Sequence, residues 1–148
     1  MTLLRLATAA RRFARRFAHD TSGAVAIEFM LIAPILLALI LGIITLGFYM
    51  GVSHSVHQLA AGAARASVAG LDETERRDIA TTYLAQGATR YPLLKAEALT
   101  SSLDYSGTAT GSITVNVTYA ADGTLLDVAN GFLNLGIETI RGRAYVAY

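Results

Sequence analysis

The chain is predicted to be an α+β protein: a long N-terminal transmembrane α-helix extending into a small exported domain with a second helix and a roughly three-stranded antiparallel sheet. Three observations predict this. Residues 29–50, FMLIAPILLALILGIITLGFYM, carry no charged side chain. Beyond them Tyr49, Val52, Val56, Leu59, Ala63 and Ala66 recur at alternating intervals of three and four, a helical seam. Further on, Ile113-Thr114-Val115-Asn116-Val117-Thr118-Tyr119 alternates apolar and polar residues, the mark of a half-buried strand.

As helix, the uncharged run reaches roughly 33 Å, enough to cross a hydrocarbon core of about 30 Å. It is too long for the apolar region of a signal peptide, and no A-x-A-like cleavage pattern lies just beyond it. The formal net charge of +1 hides an asymmetry. Arg5, Arg11, Arg12, Arg15 and Arg16 precede the run with one acid, Asp20, a balance of +4. From residue 24 onward seven Lys/Arg face ten Asp/Glu, a balance of −3. The first basic residue after the run is Arg65, so the positive-inside rule keeps the N-terminus cytoplasmic and exports the chain beyond the run. The expected parts are a basic cytoplasmic leader over 1–23, the transmembrane part of the long helix over 24–50, and an exported domain over 51–148.

A basic head on a mildly acidic body argues for a charge-read targeting segment and against a nucleic-acid binder, whose cations would cluster on the folded domain. At 148 residues there is room for one ordinary domain. With no cysteine, disulfides, thiolate metal sites and Cys nucleophiles are excluded.

Within the span, Pro34 lacks an N–H and is expected to bend the helix near residues 30–34. Gly42, Gly47 and Gly51 are small, and Gly47 with Gly51 forms one G-x-x-x-G, a spacing that admits a neighbouring helix. The long helix continues to about residue 69, and Gly70 is expected to stop it. Asp72 with Glu75 outlines a capping box for a helper helix to about Gln86. Its charged start, Glu73, Glu75, Arg76, Arg77 and Asp78, reads as a solvated face. Tyr91-Pro92 closes that region. Strands are expected over 101–105, 113–119 and 140–148, with a turn at Ala121-Asp122-Gly123 and an ambiguous, helix-compatible stretch over 124–135.

Glu28 is the informative residue, an acid directly before the apolar run. Acidic groups at mid-depth cost roughly 2.5–3.5 kcal/mol, less near the edge, and usually have a partner. The plain alternative is a carboxylate that marks the interface and reaches water. Its setting, Ser22-Gly23-Ala24-Val25-Ala26-Ile27-Glu28-Phe29, resembles the processing site of type IV pilin-like proteins. The resemblance implies that a prepilin peptidase cuts after Gly23, that Ala24 becomes the new N-terminus, and that Glu28 is the fifth mature residue. Cleavage would create an α-amino cation, which a carboxylate on a neighbouring subunit could neutralise.

Glu28-Phe29, then Ala33-Pro34-Ile35-Leu36-Leu37, Gly42, Gly47-Phe48 and the small-residue run over 60–66 resemble the N-terminal signature of TadE-like proteins, pseudopilins of the tight-adherence (Tad/Flp) pilus system. The resemblance covers about residues 11–70. It implies a structural role in pilus biogenesis and surface adherence, with other Tad pilins or pseudopilins and the inner-membrane assembly platform as partners. It also implies a bacterial inner-membrane location with inner-membrane lipid around the span and the C-terminal domain in the periplasm.

No enzyme motif competes with this reading. His54 and His57 lie on one helix side without a third ligand, and interfacial polar residues are the plainer reading. There is no phosphate loop, no H-E-x-x-H and no G-x-S-x-G, so no cofactor, metal or small-molecule substrate is expected. An Arg-rich leader also fits a membrane-surface helix or a transit peptide, but neither accounts for Gly23 or Glu28. The competing functions are an unprocessed membrane-anchored adaptor and, far behind, an anchored enzyme using the two histidines.

Overall fold

The computed structural model describes residues 22–106 and 111–148. The expected leader therefore lies, up to residue 21, outside the described residues. The chain forms two compact units, Met1–Ile40 and Leu41–Tyr148. Helix α1, Ser22–Ser67, supplies all described residues of the first unit and opens the second.

In the first unit every side chain from 23 to 40 is exposed except half-buried Ala33. Pro34 sits inside the helix. Among the described residues one helix is long and apolar enough to cross a membrane, and only 6% of its most apolar window is buried. A core helix of a soluble protein would be mostly buried, so this composition fits a membrane anchor.

The second unit carries the second helix and the three-stranded antiparallel sheet of the expected α+β fold. After α1 come α2 (Glu73–Ala85), a short α3 (Gly87–Arg90), a 3-10 turn (Ala96–Ala98), β1 (Leu99–Ser106), β2 (Ser112–Ala120), α4 (Leu125–Leu133) and β3 (Thr139–Ala147). The sheet is antiparallel in the order β1-β2-β3. Leu99 pairs with Tyr119 on one side of β2, and Tyr119 with Ile140 on the other. This register aims Ile113, Val115, Val117 and Tyr119 at α1, where Val52, Val56, Leu59, Ala60, Ala63 and Ala64 complete one core.

The helical seam holds with a slight rotation. Ala66 is only half-buried, and Ala60, Ala64 and Ser67 carry the buried face onward. The small residues bring backbones together: a Cβ on Gly62 would fall 2.4 Å from the Tyr83 hydroxyl of α2, and one on Gly142 would fall 2.9 Å from the backbone of Val56 and His57.

Helix α1 ends at Ser67, earlier than expected, through tight turns such as Val68 N–H to the Arg65 carbonyl at 3.3 Å. Gly70 is not in the left-handed region: among the described residues the glycines at positive φ are Gly123 and Gly136. Its side-chain space is instead filled by Arg76, whose Nε donates to the Gly70 carbonyl at 2.8 Å.

The capping box forms one residue out of register. Glu75 N–H donates to Asp72 Oδ1 at 2.9 Å, while Glu75 Oε2 accepts from Leu71 N–H at 2.8 Å instead of from the cap residue. The charged start of α2 is also not simply solvated. Arg77 pairs with Glu73 at 3.0 Å and lies over Tyr105, and half-buried Arg76 lies over the Tyr148 ring at 3.7 Å. The ambiguous stretch is helical. Thr124 caps α4 by accepting from Leu126 N–H at 3.2 Å, and left-handed Asn134 ends it.

Candidate functional site

Gly23, Ala24, Glu28 and Phe29 occupy the first turns of α1, all exposed. Ala24 and Glu28 are four apart and so share a face of the helix, with the Glu28 side chain directed back toward the N-terminal turn. The Arg77–Glu73 pair is the one ion pair among the described residues, and Glu28 makes no hydrogen bond to any of them. An exposed, unpaired carboxylate beside apolar side chains such as Phe29 (69% exposed) is the chemical singularity of this segment.

The three span glycines differ. Nothing within 4 Å would meet a Cβ on Gly42 or Gly47, whereas one on Gly51 would come within 2.8 Å of Leu93 Cδ1. Gly51 therefore seats a side chain of its own domain, and the G-x-x-x-G pair is not a single open face. Thr45, between them, is buried and donates to the Leu41 carbonyl at 2.7 Å, so its hydroxyl is satisfied within the helix.

The histidines do not converge on a metal geometry. His57 Nδ1 lies 2.8 Å from the Ser53 carbonyl, to which it donates, and Gln58 donates to His54 Nε2 at 2.9 Å. Among the described residues no group of three or more His, Asp or Glu could hold a metal ion. His57 does border an open cavity of about 430 Å³ with Asn116, Thr118, Arg141, Gly142 and Arg143. Sequence reasoning missed this grouping because β3 reaches α1 only through the fold. It brings two guanidinium groups, an imidazole, one amide and a threonine hydroxyl together, without a carboxylate.

Two buried hydroxyls stand out. Tyr119 and Tyr105 have hydroxyl oxygens without a hydrogen-bond partner of good geometry. Burial lifts both above the ordinary tyrosine range; the Lys95 backbone opposes this at Tyr119, and Arg77 opposes it at Tyr105. These are packing residues of the sheet and its edge.

The described residues form an α+β protein whose one long apolar helix suits a single-pass membrane anchor, followed by a small antiparallel sheet domain. More particularly, residues 23–65 match the family model described as TadE-like protein. The match begins at the glycine of the G-x-x-x-x-E sequence and ends within the buried part of α1, so it lies entirely on one helix. The likeness is confined to this segment, 43 of the 148 residues. No curated protein and no solved structure matches the chain.

Proposed function

We propose that this chain is a pseudopilin that serves the assembly of a Tad-type pilus and, through it, surface adherence. In this reading a prepilin peptidase removes the basic leader after Gly23. The α1 span holds the protein in a bacterial inner membrane, with the sheet domain in the periplasm. Glu28 then meets the new α-amino group at Ala24 of a neighbouring subunit, while Phe29 and the apolar faces around Pro34, Gly42 and Gly47 pack against adjacent helices.

The observation that supports this most is Glu28 itself: exposed, without a partner among the described residues, at the start of the family-matched helix. A carboxylate at the edge of a bilayer is stabilised by a cation, and cleavage would supply one at the depth of Ala24. The uncut junction lies in helical backbone at the start of the described part of α1. A peptidase that binds an extended backbone must therefore unwind that stretch of helix.

The test is Glu28→Ala beside Glu28→Asp in cells that build the pilus. The substituted chains should remain in the membrane at normal abundance. Piliation should be lost with alanine and partly retained with aspartate. Normal piliation with Glu28→Ala would remove the assembly role, and an intact leader in the unsubstituted protein would favour an unprocessed adaptor.

A further inference from the structure

Helix α4 presents apolar side chains on two faces. Leu126 and Ala129 are fully buried in the domain, while Val128, Phe132 and the subsequent Leu135 are 53%, 79% and 45% exposed. Val128 and Phe132 are four apart, so they share one outward face. The helix is held firmly: Asp127 accepts from Gly123 N–H at 3.2 Å, and the Asn130 amide clamps Ile137 with bonds of 2.6 and 3.1 Å. The outward face is therefore a fixed feature of the domain.

Its position within the Leu41–Tyr148 unit identifies what covers it. Strand β3 runs beside α1 in the same direction, with Gly142 against Val56 and His57, and the Tyr148 ring under Arg76 near Gly70. From Gly142 back to Thr139 is about 10 Å of strand, the rise of about seven residues of helix. The end of the sheet that carries α4 is thus level with Tyr49 and Met50. An independent contact agrees: Leu93 packs on Gly51, and nearby Lys95 donates from Nζ to the Gly123 carbonyl at 3.0 Å, in the turn leading to α4. At this level α1 itself exposes Met50 (63%), and in the turns before it Leu46 (59%) and Ile43 (64%), side chains of its apolar run.

We propose that α4 lies on the bilayer surface from which α1 emerges, with Val128, Phe132 and Leu135 immersed in the lipid interface. The proposal rests on α1 being a membrane anchor and is independent of leader processing. The apolar face of α4 then joins exposed Leu46 and Met50 of its own unit at the lipid boundary. At the α4 end Lys95 stands with Asp122, Asp127 and Glu138, and Arg141 and Arg143 lie further along β3. The attraction proposed is apolar burial, so a zwitterionic bilayer suffices.

The chain contains no tryptophan, so Phe132→Trp places a single reporter on this face. The full chain is placed one per nanodisc in phosphatidylcholine, with and without acyl-brominated lipid, and compared with Tyr145→Trp, an exposed position on β3. The expected result is quenching of Trp at 132 by brominated lipid and several-fold protection from iodide, with the opposite pattern at 145. Val128→Trp repeats the reading on the same face. Full iodide access at 132 without lipid quenching would overturn the proposal. So would iodide protection without lipid quenching, which would mean that protein covers the face.

Discussion

Gly142 of β3 meets Val56 of α1 backbone to side chain and backbone to backbone: a Cβ at 142 would lie 2.9 Å from both the Val56 carbonyl carbon and its Cγ1. This contact sets how closely the sheet approaches the helix. Because the obstruction includes main chain, a rotamer change cannot relieve it. Gly142→Ala is expected to destabilise the domain by about 1–3 kcal/mol. Thermal unfolding of the purified full chain should show a lowered midpoint.

The opposite outcome is expected at Gly51. A Cβ there would meet only Leu93 Cδ1, the end of a flexible and 42% exposed side chain. Gly51→Ala should shift the unfolding midpoint little, whereas Gly51→Ile should displace Leu93 and lower it. Gly47→Ile, with open space around it, should leave the domain's unfolding unchanged. Any effect of that variant should show in helix association within the membrane, read by cross-linking.

Asp72 holds the start of α2 through Glu75 N–H. Asp72→Ala is expected to cost about 1 kcal/mol. Asp72→Asn, which keeps an acceptor, should recover most of the stability measured by chemical denaturation.

Tyr119 and Tyr105 give the domain an alkaline limit. Burial raises the pKa of each in the folded state above the unfolded value of about 10. Their contribution is fully present below the unfolded pKa and is lost as pH rises through the folded one. Stability should therefore fall above about pH 10, with tyrosinate absorbance appearing together with unfolding. Tyr119→Phe, which removes the buried hydroxyl that titrates, should reduce the alkaline loss.

Elements written into local periodicity were legible in the sequence. The seam from Tyr49 to Ala63 and the alternation of Ile113, Val115, Val117 and Tyr119 marked α1 and β2 because burying one face imposes those periods. The features that escaped were set by distant partners. Arg76 and Arg77 look like a solvated face until Tyr148 and Tyr105 fold back beneath them. Short α3 is fixed where Gly87 meets Leu59, a contact invisible to any local window. Gly51 matched a membrane-packing spacing yet receives Leu93 from its own domain. Glu28 stands out in the sequence because an acid at the edge of an uncharged run conflicts with its surroundings, and the structure leaves it exposed at that edge.

A processed pseudopilin must lose its leader, so the most direct measurement is the mass of the N-terminal peptide, recovered from membranes with and without a co-expressed prepilin peptidase. The expected chain begins at Ala24 only when the peptidase is present. A chain that retains Met1 and the arginine-rich leader beside an active peptidase would contradict the processed pseudopilin.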